Sequence, residues 1–449
     1  MAASLTQVLA NHLASFSLDS LPKASLEKTR SLVLDFFAAA WNGYGHPLSE
    51  PYLNMAALLG GPGDIPVIGG PRTTASWAAF GTGAVSHITE VDDMSRLSTM
   101  HTGICVMPVV LSLGMALKAD GKKLLEATVC GYETGLRVGE CLGRTHYAVF
   151  HTTGTAGTFG AAAAAAKLLD LDAEQTADAL GHAGTQAMAL WQFLEDGAFS
   201  AKPLHSAKAA QDGITAAYLA AQGVAGAKHI LEGKKGYFIA ASKSPKPEAI
   251  TRDLGVSFKV DEASIKSYPT CGQTHSMLDA LRIILREHAV KAGDIREIEA
   301  RVYEQAVTIA GVADPQTLEQ AKFSNQVCMA LMAVKGDLTF GNMTLENVND
   351  PEIRELSRKI TLVLDPEIDA RFPATRPCRI IVRTKDGREF ARENDYRTGD
   401  PEKPMTPAQI EEKFRDLTAH ALSKARQDAI VAWCADLPAR GVEPGLFER

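Results

Sequence analysis

Glu90-Val-Asp-Asp-Met-Ser-Arg-Leu-Ser-Thr-Met-His101, with His87 just ahead of it, is the stretch around which this chain has to fold. The fifteen residues from His87 to His101 hold three carboxylates (Glu90, Asp92, Asp93), one guanidinium (Arg96) and two imidazoles. The flanks are apolar or small, Trp77-Ala-Ala-Phe80 before and Ile104-Cys-Val-Met-Pro-Val-Val-Leu111 after. Such flanks belong in a core. Drawing the charges in with them costs roughly several kcal/mol per ion unless they pair or do chemistry. From Thr74 to Leu117 the apolar pattern predicts helix, which carries the cluster with His87 and Glu90 on one face.

Outward from this cluster the first half reads as helical. Ser25–Trp41 places Leu26, Leu32, Leu34, Phe36 and Phe37 at helical spacing, with Gly43 as a stop. Ile65–Ile68, bracketed by Gly-Pro-Gly and Gly-Gly-Pro, is a short extended piece. Lys123–Val138 is amphipathic. His151 opens a segment with glycines at 154, 157 and 160 and six consecutive alanines, a smooth helical face that allows close backbone approach. A helix N-terminus at His151 offers free N–H groups to an anion. Asp172–Leu190 and His205–Gln222 are predicted helices, with Trp191–Ser206 as a loop between them.

After about residue 260 the texture changes. Ile295–Ile309 alternates like a strand, Lys359–Asp365 is a short apolar run, and Cys378–Val382 and Arg388–Arg392 are joined through Asp386-Gly387, the clearest hairpin signal in the chain. Helical stretches at Ser276–His288, Thr317–Val334 and Asp350–Arg358 are interspersed. The fold class expected is mainly α with α+β. A large discontinuous all-α domain spans 1–266 and is completed by 400–449, and 267–399 forms a smaller α+β lid domain.

Composition narrows the function. A net charge of −7 without a basic run argues against nucleic acid and anionic membranes. Seven scattered cysteines, odd in number and without CxxC spacing, fit a reducing, cytoplasmic setting. No apolar run is long enough to span a bilayer. No Rossmann fingerprint or P-loop is present, and the His87/Glu90 spacing has no second matching pair. A metal is therefore not expected, and no nucleotide-binding motif is read.

Several pieces together resemble the MmgE/PrpD family, which includes 2-methylcitrate dehydratase, cis-aconitate decarboxylase and iminodisuccinate epimerase. They are His87-x-x-Glu90-x-Asp92-Asp93 with His101 following, and His151 before Gly154-Thr-Ala-Gly157. Lys202-Pro-Leu-His205 leading to Gly213 follows, then Ile265-Lys266-x-Tyr-Pro269 with His275. The last is the tail Tyr396–Pro404 followed by Lys413-Phe414. The resemblance implies a cofactor-free site in a cleft between an all-α domain and a lid, acting on small polycarboxylates in a homodimer. It carries functional roles to Glu90, Asp92 or Asp93, His101, His151, Lys202 and Lys266. Two departures stand out. Many members have Asp where this chain has Glu90, and the tyrosine of decarboxylase members after Ser-x-Gln is replaced here by Val327. Tyr268 or Tyr147 would then supply the hydroxyl, or the reaction differs.

Dehydration, decarboxylation and epimerisation of such acids share one difficult intermediate, in which charge builds on a carboxylate beside the reacting carbon. Positive charge and aligned donors must surround it, and Lys202, Lys266, Arg96 and His151 are the candidates. His101 is the candidate acid or base, oriented by Asp93 or Asp92. Lys266 would hold a substrate carboxylate or take the proton. The expected activity is a lyase of polycarboxylates. The alternatives are an epimerase on the same scaffold and a non-catalytic helical protein that holds organic acids.

Overall fold

The main helices of the first part of the chain are set mostly by apolar periodicity and by side chains that cap them. A computed structural model describes residues 4–448. The helices are α1 (Leu5–Ser15), α2 (Lys23–Gly43), α3 (Ser49–Gly60), α4 (Ala75–Val85), α5 (Gly103–Ala116), α6 (Gly121–Tyr147), α7 (Thr152–Leu168), α8 (Ala173–Gln186) and α9 (Lys202–Ala221). Ser4 caps α1, Asp120 caps α6, and Asp172 with Gln175 forms a capping box on α8, each satisfying N–H groups that a helix start leaves open. A two-stranded hairpin pairs β1 (Ile65–Pro66) with β2 (Arg72–Thr73). Almost all of α7 is buried, packed against α6, α5 and α9. The expected smooth face is what permits this: a Cβ on Gly160 would lie 2.8 Å from the Gly131 carbonyl oxygen of α6.

Two expectations for this part need correction. Thr74–Leu117 is not continuous helix, because residues 86–102 form an irregular loop between α4 and α5, with Glu90 and Thr99 both in the left-handed region (φ 62° and 52°). His87 and Glu90 therefore do not share a helical face. Lys202 is the first residue of α9 and not part of a preceding loop, since Pro203 sits in the first turn, where a missing N–H costs nothing.

The chain forms two units. One comprises the residues through Glu195, Ser200–Ala263 and everything from Thr406 onward; the other comprises Asp196–Phe199 and Ser264–Met405. The second unit holds a four-stranded sheet in the order β4-β3-β5-β6, from β3 (Ile295–Val302), β4 (Ile360–Leu364), β5 (Cys378–Thr384) and β6 (Glu389–Asn394). β3 runs parallel to β4 and antiparallel to β5, and β5–β6 is the hairpin predicted through Asp386-Gly387. Helices α10 (His275–Glu287) and α11 (Asn325–Lys335) share a core with the sheet through Leu278, Leu281, Leu331, Ile298, Ile380 and Val382. Val327 is fully buried in that core, one turn after Ser324, which caps α11.

In the first unit, the C-terminal helices α12 (Pro407–Thr418) and α13 (Lys424–Ala435) pack on α2. Trp433 stands edge-on to Phe37 at 5.8 Å between ring centroids. The fold is thus mainly α with a smaller α+β part, as the sequence led us to expect. Among the described residues, no helix is long and apolar enough to cross a membrane.

Candidate active site

The loop 86–102 is pinned at several points, and the pins explain its shape. Ser95 and Met100 close it through two backbone hydrogen bonds of 2.8 and 3.3 Å. A left-handed residue other than glycine costs about 1–3 kcal/mol, so Glu90 and Thr99 must be held from outside. Glu90 is buried in an ion pair with Lys202 of α9. Thr99 Oγ1 donates to the Ser98 carbonyl at 2.7 Å and lies 3.3 Å from Thr152 Oγ1 at the start of α7. Between them, Lys413 of α12 donates to the Val91 carbonyl oxygen at 2.7 Å and to Asp35 at 2.6 Å.

Asp92 and Asp93 then face different ways. Asp92 places Oδ1 3.2 Å from His87 Nδ1 and Oδ2 2.7 Å from His101 Nδ1, so one carboxylate braces two rings. Asp93 accepts from the Gly103 N–H (2.9 Å) and from the Tyr132 hydroxyl (2.9 Å), fixing the start of α5. Glycine is required there, because a Cβ on residue 103 would lie 2.5 Å from Asp93 Oδ1. Of the two carboxylates offered by the sequence, Asp92 is the one that faces the His101 ring. Asp93 reaches that ring only through its backbone carbonyl, 3.1 Å from Nδ1. Burial, with Asp35 and Asp92 nearby, pushes the Asp93 carboxyl up to about 7.

His151 precedes α7 and completes the cluster from a distant segment. Its ring centroid lies 5.9 Å from that of His87 and 6.1 Å from that of His101, while His87 and His101 are 4.9 Å apart. Trp191 covers His151 at 4.4 Å, and His151 Nδ1 meets His205 Nδ1 at 3.0 Å. Burial, with help from Lys202, pulls His87 below the usual histidine range. Burial, then His205 and Lys202, takes His151 well below it. In both cases the environment favours the neutral ring. His101 is the most exposed of the three, at 8 % against 1 % for the others.

The tautomers follow from the acceptors. His101 Nδ1 faces two oxygens, Asp92 Oδ2 and Asp93 O, so this nitrogen carries hydrogen and Nε2 is left for proton transfer. A buried carboxylate opposite the ring also favours the imidazolium once it forms. The set is one titratable nitrogen with a fixed partner, close to a buried ammonium and two neutral imidazoles.

The first unit brings together His87, Glu90, Asp92, Asp93, His101, His151 and Lys202. Arg96 is half-buried on the same loop. Lys266 and Tyr268 belong to the second unit, where both are buried. The Tyr268 hydroxyl donates to Asp279 at 2.7 Å, and burial beside that carboxylate pushes it far up. Tyr147, the other tyrosine considered for the missing hydroxyl, stands edge-on to Trp191 at 5.5 Å. Sequence reasoning missed Trp191 and the role of Lys413. A lone tryptophan in a polar loop carries no spacing signal, whereas Lys413 stood in a recognised motif without an assigned task.

Comparison with known proteins bears on these groups. The MmgE/PrpD N-terminal domain model matches residues 7–250 and the MmgE/PrpD C-terminal domain model matches residues 268–437. Human cis-aconitate decarboxylase is 28 % identical over 94 % of this chain and 89 % of its own length. The mouse cis-aconitate decarboxylase is 27 % identical over 96 % of this chain and 90 % of its own. That of Aspergillus terreus is 26 % identical over 94 % and 91 %.

Proposed function

This chain belongs to the MmgE/PrpD family and is an enzyme of the lyase kind, and from that premise we propose that it removes carbon dioxide or water from a small polycarboxylate through proton transfer at His101. Cis-aconitate is the first substrate to try, since relatives aligned over nearly their whole length carry that activity in their names. The observation that supports the reading best is the Asp92 carboxylate braced between His87 and His101.

In the decarboxylation, the bond from carbon to one carboxylate breaks and carbon dioxide leaves. The electron pair stays on carbon and spreads into a neighbouring carboxylate, which gains charge. Imidazolium at His101 then delivers its Nε2 proton to that carbon or to its vinylogous position. Dehydration runs the same nitrogen the other way: neutral His101 takes the proton beside the carboxylate, the carbon–oxygen bond at the next carbon breaks with its pair on oxygen, and the hydroxide takes a proton from solvent to leave as water. The N-terminal N–H groups of α9 and α7 supply the positive field that the developing charge needs, and Lys202 adds to it when a substrate carboxylate takes the place of Glu90 in its ion pair. We assign Lys266 to holding a second substrate carboxylate, and we propose a homodimer; sedimentation of the purified protein tests the latter.

The test is incubation with cis-aconitate, 2-methylcitrate and related acids in deuterium oxide. Carbon dioxide release with one deuterium incorporated, or growth of an ultraviolet-absorbing double bond, supports the lyase. Isotope exchange without net loss of substrate means an epimerase instead. Ligand-raised melting with no exchange at carbon means a binding protein. His101→Ala is expected to lower kcat at least ~100-fold, the usual contribution of a positioned acid or base, while the melting curve stays put. Unchanged turnover in that variant removes His101 from the mechanism.

A further inference from the structure

We propose that His87, His101 and His151 form a binding site for a borderline-soft divalent transition-metal ion such as Zn2+, with Asp92 and His205 as the outer partners that hold the rings. Each ring offers one nitrogen, and these nitrogens all lie within 4.8 Å of one another in a buried setting. In a tetrahedral site with Zn–N bonds of ~2.0–2.1 Å, ligand nitrogens sit about 3.3 Å apart, so the rings need to draw in by no more than about 1.5 Å. This departs from the sequence expectation of no metal, which rested on spacing along one segment. The third histidine, His151, stands at the start of α7, beyond α5 and α6 in the chain.

Four observations point to a ligand set and not merely to packed histidines. First, each ring has its Nδ1 engaged by an outer group: His87 and His101 by Asp92, and His151 by His205. Metal-binding histidines almost always give their second nitrogen to such a partner, which sets the tautomer and raises ligand basicity. Second, His87 Nε2 is buried with no hydrogen-bond partner, and a buried polar atom left that way costs about 1–3 kcal/mol. A metal ion satisfies it. Third, the rings are buried, His87 and His151 each only 1 % exposed, so solvent does not compete for an ion held among them. Fourth, the buried Asp92 carboxyl lies behind two of the rings, and Lys202 is held in an ion pair with Glu90. Imidazole donors suit zinc, copper and nickel in preference to magnesium or calcium. The buried thiol of Cys105 is directed instead at the His101 and Thr153 carbonyl oxygens.

Because the site uses the His101 nitrogen assigned above to proton transfer, bound ion and substrate exclude one another; this consequence rests on the lyase reading. Zinc is then a reversible inhibitor, competitive with the acid.

The test uses the full chain, freed of metal by a chelator and titrated with ZnCl2 in a calorimeter. One ion per chain is expected, with X-ray absorption showing nitrogen neighbours at ~2.0–2.1 Å. Asp92→Asn should weaken binding about 10- to 100-fold, as loss of an outer partner does, and His87→Ala should abolish it. A sulfur shell at ~2.3 Å, no stoichiometric binding, or undiminished binding by His87→Ala overturns the proposal. If either variant fails to fold, the absorption spectrum of the unsubstituted chain decides. Turnover is assayed separately in chelator. A chain that converts its acid but binds no zinc overturns only this inference, and one that binds zinc as described but turns over none of the acids overturns only the lyase reading.

Discussion

Asp92 and Asp93 are neighbours of identical chemistry, and the structure gives them separate tasks. Asp92 Oδ2, 2.7 Å from His101 Nδ1, acts with the Asp93 carbonyl to favour hydrogen on that nitrogen. In Asp92→Asn, the amide can present N–H to the ring, so the tautomer reverses and Nε2 no longer holds the lone pair. We expect kcat to fall roughly 100- to 10,000-fold with little change in melting, since a positioned acid or base contributes about that much. Equal kcat in the variant would mean that ring orientation is set elsewhere. Asp93 instead makes a pH-dependent contribution to stability. Its carboxyl holds a proton to about 7 in the folded chain, against 3.8 ordinarily, so between those values the folded state binds more protons than the unfolded state. Raising pH through that window therefore destabilises the fold, by up to about 4 kcal/mol at 1.36 kcal/mol per pH unit. Asp93→Asn, which cannot ionise, should remove this part of the slope. Urea midpoints of both proteins at pH 5 and pH 8 check it: the variant should gain relative to the parent as pH rises, and a constant difference sinks the idea. The sequence put both aspartates on the page but could not divide them, because the division follows from the left-handed turn at Glu90.

At the scale of elements, a loop is only as rigid as what grips it from elsewhere in the chain. Lys413 on α12 grips Val91 and Asp35, and all three are buried. Lys413→Met leaves Asp35 as an uncompensated buried charge, which costs about 3–5 kcal/mol. The double variant Asp35→Leu/Lys413→Met should regain most of that stability, since replacing both members of a buried pair is often close to neutral. It should not regain kcat, because Val91 still lacks its donor and the turn carrying Glu90 and Asp92 is loosened. Thermal melts and turnover of the three proteins separate the two effects; recovery of kcat along with stability would make Lys413 purely structural. The same contact explains what sequence could and could not reveal about this element. α2 and the β5–β6 hairpin were legible because apolar period and Asp-Gly turn chemistry are local. The break between α4 and α5 was not, since the bonds that stop helix there come from Lys413, Tyr132 and Thr152, all remote in sequence.

On the scale of the molecule, the first unit is built from three separated pieces of chain, and its last piece is structural. Trp433 packs on Phe37, Phe414 is fully buried on α12, the Trp41 indole donates to the Leu446 carbonyl at 3.3 Å, and the Gly69 N–H donates to the Phe447 carbonyl at 3.0 Å. The change from helical to alternating texture near residue 260 was readable from composition, whereas nothing local in 406–448 says which helices it joins. We propose that the two units are also the folding domains. A chain ending at Met405 tests this. Removing a buried Trp or Phe side chain costs about 3–5 kcal/mol each, against a total of about 5–15 kcal/mol for a domain, so losing Phe414 and Trp433 together with the Lys413 contacts exceeds what the first unit can spare. The second unit keeps its sheet and core within 264–405 and should keep its own cooperative transition. Scanning calorimetry of the truncated chain should therefore show one transition, shared with an isolated 264–405 fragment, and no turnover. Should the truncated chain retain the transitions of the full protein, residues 406–449 are an appendage and the three-piece domain is wrong.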